Sequence, residues 1–472
     1  MTAAIKALMG RVGKGASGSS SGSKANKSTT DKMDISIKLS EDPSFDMLVL
    51  GCGGGPAEND LSAYWVKPAG QAWSEGFVSV DGGSCLGALI RLLASHPAAL
   101  SDFLDHPPSL PQQQGGPSIS AAARAAMSSS TLLQAGQIYD MLQAFLITHA
   151  HWDHISGLVL SSSSGSSKQK EVYGSKQTIS NLSSAMNGGL WPVLGSYEAS
   201  KSVPYIWRDM DFSKSVKPSK GLSASIMPLS HGIHHQGTSY ESSAFFLENN
   251  ATGKSILIFG DVEPDSVSGL SLNKDIWIES AKRMSAGRLN AMLIECSYCS
   301  SRPKEQLYGH LTPMYIAEEL LVLASLIPPL PGRDAADLKG RLKGVTVGII
   351  HVKDPTSLAE VLAFSEGSAQ NTAGAASPTG NKRPKVSPSL SASAPASAQS
   401  PPSRRTRSAS SRSALQQSDT KAGIKTREAQ GINLHLPEQI KNKIYSELQE
   451  LESRDQLGVR YLMLEQGMRI AI

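Results

Sequence analysis

Short apolar runs separated by turn-forming residues recur along the chain, and they predict a mixture of strands and helices. The clearest run spans residues 142–147 and predicts a buried strand. Apolar residues at helical spacing predict longer elements between some of the strands. The same patterns predict strands at residues 45–50, 63–67, 76–80, 223–229, 242–247, 255–259, 290–294, 344–350, 459–463 and 469–472, another beginning at residue 172, and helices at residues 86–96, 179–186, 313–326 and 440–451.

The strand at residues 142–147 leads into a dense group of polar residues. His149, His151, Asp153 and His154 lie within six residues of one another. His149 and His151 are two residues apart, so their side chains point to the same side of an extended chain. Imidazole nitrogens and carboxylate oxygens are ligands that suit zinc. The pattern predicts that this segment, which then turns into a helix, serves two metal ions and supports hydrolysis.

Other predicted strands end in residues of the same kind. His231, Asp261 and His351 follow predicted strands closely, and the carboxylate of Asp261 is available to bridge two ions. If these strands run toward one edge of a sandwich, their ends converge. Six of the eleven histidines fall at strand ends or in loops of this kind, namely His149, His151, His154, His231, His310 and His351.

With these segments in view, the chain resembles a known family. Residues 147–159 match the metal motif of the metallo-β-lactamase fold and resemble the class II cyclic nucleotide phosphodiesterases. The motif alone specifies only a fold that hosts many hydrolases, whereas the Gly-His-Leu-Thr-Pro element at residues 309–313 is more specific. Supporting segments occur in the family's order at residues 50–59, 230–232, 260–261, 294–297, 308–313 and 350–353, and the resemblance covers roughly residues 45–100, 136–364 and 432–472.

The resemblance implies an α/β protein with a metallo-β-lactamase-like four-layer αββα sandwich and disordered insertions. It also implies a 3′,5′-cyclic nucleotide phosphodiesterase that forms nucleoside 5′-monophosphates and ends cAMP signalling, with cAMP favoured over cGMP. A hydroxide held between two divalent ions, for which Zn²⁺ is the preferred identity, would attack the cyclic phosphorus. By resemblance, His149, His151 and His231 hold the first ion, Asp153, His154 and His351 hold the second, and Asp261 bridges both.

Three residues are the candidates for catalytic work besides metal binding. His310 is expected to protonate the leaving 3′ oxygen, because an imidazole can titrate near the operating pH. A hydrogen bond at the start of the following helix is the alternative role for His310. Glu295 would orient His310 or serve a structural purpose, and Asp153 belongs to both the catalytic and the metal-binding candidates. Asp81, an acidic turn residue, is expected to form structural hydrogen bonds.

The choice of ligand near residue 231 is open on sequence grounds. His231, His234 and His235 lie close together. His231 is preferred because Ser230-His231-Gly232 fits the family pattern and directly follows a predicted strand. Trp152 departs from the family pattern, in which a smaller aliphatic residue is commoner at this position.

Composition divides the 472 residues into ordered and low-complexity parts. We expect a disordered tail at residues 1–34 and a single catalytic domain at residues 35–472, interrupted by insertions at about 107–130 and 367–430. The tail is compatible with a mitochondrial presequence, and the basic clusters of the second insertion with nuclear import. We expect a cytoplasmic protein, with the nucleus as a second location. No apolar run is long enough to cross a membrane.

Charge and cysteine usage limit the other possibilities. The net charge is +4 and the basic residues concentrate in the low-complexity segments, so no stable nucleic-acid partner is expected. A tRNA 3′-processing nuclease of the same fold is the first alternative, and it would need a basic arm or patch to hold its RNA. A non-catalytic scaffold is the second. The four cysteines, including the pair Cys296-x-x-Cys299, are expected to be ordinary reduced thiols rather than a zinc or redox site. The sequence leaves open whether the protein forms a homodimer.

Overall fold

A computed structural model of the protein describes residues 36–104, 130–163, 168–200, 202–233, 237–355 and 436–472. They belong to one compact unit, and a second unit, Leu362–Leu434, lies outside the described residues. The predicted tail, the insertion at 367–430, the insertion at 107–130 apart from its last residue, and His234 and His235 also lie outside them. The predicted division into domains therefore stays a prediction.

The described strands form two sheets. The first has nine strands in the order β1-β16-β2-β3-β4-β5-β6-β8-β7, and the second has seven in the order β15-β14-β13-β12-β11-β10-β9. The strands are β1 (Ser36–Lys38), β2 (Phe45–Gly51), β3 (Ala63–Pro68), β4 (Phe77–Val80), β5 (Leu142–Leu146), β6 (Lys170–Ser175), β7 (Gly195–Ser196), β8 (Tyr205–Met210), β9 (Ser215–Ser219), β10 (Leu222–Ile233), β11 (Ser239–Asn249), β12 (Ser255–Phe259), β13 (Leu289–Glu295), β14 (Thr346–Ile350), β15 (Arg460–Met463) and β16 (Arg469–Ala471).

Helices lie between the strands in sequence. Short 3₁₀ segments span Trp73–Glu75, Pro97–Leu100 and Lys304–Gln306. The α-helices are α1 (Leu86–Ser95), α2 (Ser101–Leu104), α3 (Thr131–Met141), α4 (Trp152–Ser161), α5 (Lys176–Ala185), α6 (Asp265–Ser268), α7 (Leu272–Ser285), α8 (Pro313–Leu326) and α9 (Leu436–Asp455).

Side-chain alternation explains why both faces of the first sheet are covered. In β2, Met47 and Val49 pack into the core between the two sheets, where they join residues such as Phe245 of the second sheet. Leu48 and Leu50 point the other way and pack with α1, α3, α4 and α5. Successive residues of a strand face opposite sides, so a strand buried on both faces needs an almost continuous apolar run. The first sheet is therefore a layer between the helices on one side and the second sheet on the other.

The second sheet is covered on its outer face by α7 and α8. Phe259 of β12 packs on Trp277 of α7, with ring centroids 5.1 Å apart. Trp277 Nε1 donates to Glu319 Oε2 of α8 at 2.6 Å, and Asn273 Nδ2 donates to Glu319 Oε1 at 3.0 Å. The buried carboxylate is therefore satisfied by side chains of the neighbouring helix. This layer completes an arrangement of two sheets between helices.

Parallel strands bring the polar strand ends to one edge. β12, β13 and β14 pair in parallel, so their carboxyl ends lie on the same side of the second sheet. Asp261 follows β12, Glu295 is the last residue of β13, and His351 follows β14. β5 of the first sheet ends at Leu146, just before His149. The topology thus assembles residues that are far apart in sequence.

Several elements differ from the sequence expectations. Strands β1, β7, β8 and β9 and helices α2, α3, α6 and α7 were not predicted, and Ser130, the last residue of the predicted insertion, caps α3. β10 does not end at residue 229 but continues to Ile233, with an irregular register between Ser230 and Ile233. His231 therefore lies inside a strand, at its irregular part. None of the described helices is long and apolar enough to span a membrane.

Candidate metal centre

The histidine segment is shaped by the step from β5 to α4. Asp81 follows β4 and accepts hydrogen bonds from Thr148, with Thr148 N donating to Oδ1 at 2.8 Å and Thr148 Oγ1 to Oδ2 at 3.0 Å. This anchors the chain just before His149. His151 is still extended and precedes the first residue of α4, so Asp153 and His154 fall in the first helical turn. Four candidate ligands thus face the sheet edge from one segment.

The first group of candidate ligands combines residues that follow a strand of the first sheet with residues in or after strands of the second. Its ligand atoms lie within 4.8 Å of one another. Asp261 Oδ2 is 3.7 Å from His149 Nε2 and 3.5 Å from His231 Nε2. His149 Nε2 is also 3.0 Å from His151 Nδ1. The members are His149, His151, His231 and Asp261.

The second group shares Asp261 with the first. Asp261 Oδ1 is 3.3 Å from His154 Nε2, and Asp261 Oδ2 is 3.1 Å from His351 Nε2. Asp153 Oδ2 is 3.6 Å from His351 Nε2 and 3.9 Å from His154 Nε2. The carboxylate of Asp261 lies between the two groups, which is where a bridging ligand belongs. The members are Asp153, His154, Asp261 and His351.

The ring nitrogens are arranged as a metal site requires. In each of three histidines Nδ1 has a partner, namely Asp81 Oδ2 at 2.7 Å for His154, Ser62 Oγ at 3.1 Å for His351 and the Gly309 carbonyl at 2.8 Å for His231. Among the described residues, the buried Nε2 atoms of His154 and His351 make no well-aligned hydrogen bond, although both lie close to the carboxylate of Asp261. Buried polar atoms without a partner are costly unless a ligand occupies them, and a hydrogen bond to Nδ1 orients an imidazole that binds metal through Nε2. The residues fit a divalent metal.

Electrostatics favours the metal-binding forms of most of these side chains. Burial lowers the pKa of His149 well below its usual value and lowers the pKa of both His151 and His231 to about 4. Neutral imidazole is the form that binds metal. The pKa of Asp261 lies well below its usual range, because His351 and His154 outweigh the effect of burial. Asp261 is therefore ionised.

His154 differs from the other histidines. Burial alone would lower its pKa, but the nearby carboxylates of Asp261, Asp81 and Asp153 outweigh burial and raise it well above its usual value. Negative charge is thus in excess around this imidazole. A divalent cation at this position would supply the charge that a proton supplies otherwise, so the surroundings of His154 also suit a metal.

His310 and Glu295 form a buried pair at the edge of the site. His310 Nδ1 is 2.8 Å from Glu295 Oε1 and 3.9 Å from Asp261 Oδ2. Burial lowers the pKa of His310 well below its usual value, whereas burial and Asp261 raise the pKa of Glu295 to about 7. The contact orients the ring of His310 through its Nδ1. Glu295 is itself held by Val262 N at 3.0 Å and Ser297 Oγ at 2.7 Å.

The backbone is unusual around the site. Asp81, Tyr308 and His351 adopt positive φ angles of 58°, 52° and 59°, a region that non-glycine residues rarely occupy. Gly309 also has a positive φ, and a Cβ there would lie 2.5 Å from the His231 carbonyl carbon. Only glycine allows the loop before His310 to approach His231 this closely. Strained residues of this kind concentrate at functional sites.

The structure adds residues that sequence reasoning missed. Lys353 Nζ donates to the Gly54 carbonyl at 2.9 Å and lies 3.9 Å from Asp153 Oδ2. The Tyr240 ring lies 4.4 Å from the His151 ring. Asp81 contacts a candidate ligand directly, beyond the structural role expected for it. Asp81, like His351, directly follows a strand, and this position could have marked it as a site residue. Nothing in the sequence marks Ser62, which contacts His351, or Tyr240, which lies beside His151.

Other sequence expectations can now be placed. Every predicted site residue lies in the two ligand groups or in the pair beside them, while the ligand and catalytic roles stay predictions. Whether His234 or His235 could replace His231 is not tested, because both lie outside the described residues. Trp152 is 53% exposed. Cys296 and Cys299 are buried free thiols.

Comparison with known proteins identifies the family. The family model described as cAMP phosphodiesterases class-II matches residues 117–360, more than half of the chain. The chain belongs to the class II cAMP phosphodiesterases. The family segment includes the histidine segment, Asp261 and the Gly309–Pro313 element, so the resemblance drawn from these motifs is confirmed.

Individual relatives agree with the family. A 3′,5′-cyclic-nucleotide phosphodiesterase of Schizosaccharomyces pombe is 30% identical over 290 residues, which cover 60% of this chain and 76% of the relative. A protein of the same name from Aliivibrio fischeri is 30% identical over 313 residues, covering 66% and 82%. The crystal structure of unliganded yeast PDE1 superimposes with a TM-score of 0.61 and 21% identity, covering 91% of this chain and 100% of that chain. The predicted α/β fold class is confirmed.

Proposed function

We propose that this protein hydrolyses 3′,5′-cyclic nucleotides, cAMP in preference to cGMP, to nucleoside 5′-monophosphates. The observation that carries the proposal is the pair of ligand groups sharing Asp261, with the His310–Glu295 pair beside them, in a member of the class II cAMP phosphodiesterases. Relatives in yeast and bacteria are named as 3′,5′-cyclic-nucleotide phosphodiesterases. Substrate class and site chemistry therefore agree.

The proposed centre holds two zinc ions. His149, His151 and His231 would bind one ion, and Asp153, His154 and His351 the other, with Asp261 between them. Imidazole and carboxylate ligands suit zinc. Bound divalent ions would neutralise phosphate oxygens and lower the pKa of nearby water.

The protein's own residues would handle charge and protons. The Lys353 ammonium lies beside Asp153 and would face a substrate phosphate from that side. His310 would donate a proton from Nε2 to the 3′ oxygen as its bond to phosphorus breaks, while Nδ1 stays bonded to Glu295. Because burial lowers the pKa of His310, the proton on the ring would depend on the negative charge of Glu295 and of the bound phosphate, while the contact with Glu295 would fix the orientation of the ring. Burial of the pair excludes bulk water from this proton transfer.

A product assay on metal-defined protein tests the proposal. The purified chain is stripped with chelator, reloaded with measured zinc, and incubated with cAMP and with cGMP, and the products are separated by chromatography. We expect 5′-AMP, a higher kcat/KM for cAMP than for cGMP, and activity that rises with zinc up to two equivalents. Formation of a 3′-monophosphate, or absence of turnover at full metal loading, would contradict the proposal.

The two alternatives are tested in the same experiment. Cleavage of precursor tRNA without cAMP hydrolysis would favour the tRNA 3′-processing nuclease. A protein that takes up no zinc and has no activity would favour the scaffold. The scaffold has no specific observation in its support, because the described residues bring all seven candidate ligands and His310 together. The nuclease has none because the matching family model is that of the class II cAMP phosphodiesterases.

A further inference from the structure

A cavity of about 550 Å³ opens beside the candidate metal centre. This volume lies within the range of roughly 300–1,000 Å³ that small-molecule sites occupy. Asp153 and Lys353 line the cavity, which therefore reaches the groups proposed to meet the phosphate. Tyr298, Arg302 and Tyr308 also line it, and none of these three has a part in metal binding or proton transfer.

Arg302 is the centre of a stack with the two tyrosines. Its guanidinium carbon lies 4.4 Å from the ring centroid of Tyr298 and 5.7 Å from that of Tyr308. Arg302 Nε donates to the Gln306 carbonyl at 3.0 Å, which restrains the guanidinium group. The Tyr298 ring lies 5.9 Å from the His310 ring. The stack thus begins next to the proposed acid and extends along the cavity wall.

A purely structural role does not account for Tyr308. Its side chain is 68% exposed, so it gains little from burial. Its φ of 52° is an unfavourable conformation for a bulky residue. An exposed aromatic ring held in this way, two residues before His310, is arranged for contact with something that enters the cavity.

Flat cationic and aromatic surfaces are what a nucleobase binds. Bases stack on aromatic rings with roughly 1–3 kcal/mol per base, and arginine adds a cation–π contribution. We propose that the stack of Tyr298, Arg302 and Tyr308 binds the nucleobase of the cyclic nucleotide while its phosphate lies at the metal centre. This inference rests on the proposed cyclic nucleotide hydrolysis and assigns the base-recognition surface of that site.

The test compares a substrate with a base and a substrate without one. Arg302→Ala in the full-length, zinc-loaded protein is assayed with cAMP and with ribose 3′,5′-cyclic phosphate, which keeps the scissile group and lacks the base. We expect KM for cAMP to rise roughly 2- to 30-fold, as loss of a cation–π contact does while the tyrosine rings remain, with kcat within about twofold. Kinetics with the base-free substrate should stay within about twofold of the wild type.

Three further variants sharpen the result. Arg302→Lys keeps the charge but loses the planar face, and we expect most of the KM effect to persist. Tyr308→Asn removes the exposed ring with a residue that tolerates positive φ, and it should raise KM for cAMP in the same direction. Arg333→Ala is the control, because Arg333 pairs with Asp337 on the surface and does not line the cavity. It should leave KM and kcat unchanged for both substrates.

The possible failures are distinguishable. A wild-type protein that hydrolyses neither substrate would overturn the proposed function and this inference with it. Equal losses on both substrates in Arg302→Ala, or full rescue by Arg302→Lys, would mean that Arg302 serves the phosphate by charge, and would overturn only the base assignment. The base assignment alone would also be overturned if Trp152→Ala raises KM for cAMP and Arg302→Ala does not; Trp152 lines the same cavity.

Discussion

Asp81→Asn replaces one oxygen of a buried carboxylate by an amide nitrogen, with almost no change in shape. Asp81 is 2% exposed. Its Oδ1 accepts from Thr148 N, and its Oδ2 accepts from Thr148 Oγ1 and lies 2.7 Å from His154 Nδ1. A carboxylate can accept all of these bonds, whereas an amide has one accepting atom.

Each orientation of the asparagine creates a conflict. If its nitrogen faces His154, then His154 must carry its proton on Nε2, the atom that would bind metal. If its nitrogen faces Thr148 instead, it meets the backbone N–H at the former Oδ1 position, and two buried donors oppose each other at a cost of about 1–3 kcal/mol. We therefore expect metal affinity at the second group to fall about 10- to 100-fold, as loss of a hydrogen bond that orients a metal-binding histidine does.

Competition with a chromogenic zinc chelator measures this loss directly, with bound zinc counted by mass spectrometry. Asp265→Asn is the matched control, because Asp265 also accepts bonds from backbone N–H groups, at Asn273 and Lys274, but lies outside the ligand groups. Its zinc affinity should equal that of the wild type. If Asp81→Asn binds both zinc equivalents within about twofold of wild-type affinity, the reasoning on the His154 tautomer is wrong.

Three further predictions concern the acid, the bridging carboxylate and the outer helices. His310→Ala should lower kcat by roughly a hundredfold or more with zinc content unchanged; the exposed His96→Ala is its control, and loss of zinc would show that His310 is a ligand. Asp261→Ala should lose both zinc and activity, and retention of two zinc equivalents would refute its bridging role. Glu319→Ala should lower the free energy of unfolding by about 3 kcal/mol or more, since the buried donors Trp277 Nε1 and Asn273 Nδ2 and the partly buried Asp265 N lose their acceptor; the exposed Glu318→Ala should have little effect in the same denaturant titration.

Some elements escaped prediction because their patterns depend on partners elsewhere in the chain. The buried side of α7 includes Asn273 and Ser280 besides Ile276 and Trp277. Asn273 can be buried because Glu263 and Glu319 satisfy its amide. A polar residue in the buried stripe hides helical periodicity from the sequence. The short strands at the ends of the sheets likewise depend on a neighbouring strand for their assignment.

The residues of the site also differ in whether the neighbouring sequence could predict them. Ligands that follow one another in sequence, or that follow an apolar run, could be predicted, because a strand end and the residue after it are local features. The Nδ1 partners of His351 and His231 could not be predicted. Ser62 lies 289 positions from His351 and Gly309 lies 78 from His231, and no periodicity connects such pairs.

By itself, the sequence determined the histidine segment, most of the buried strands and the order of the ligand types, because these follow from local apolar runs and from the chemistry of single side chains. The placement of Asp261 between two ligand groups and the contact of Glu295 with His310 were expectations from the sequence that needed the tertiary structure to be seen, and the stacking of Arg302 beside them came from the tertiary structure alone. The physical reason is that parallel pairing of β12, β13 and β14 brings their carboxyl ends to one edge. Contacts made across that edge depend on the register of whole strands, which no short segment specifies.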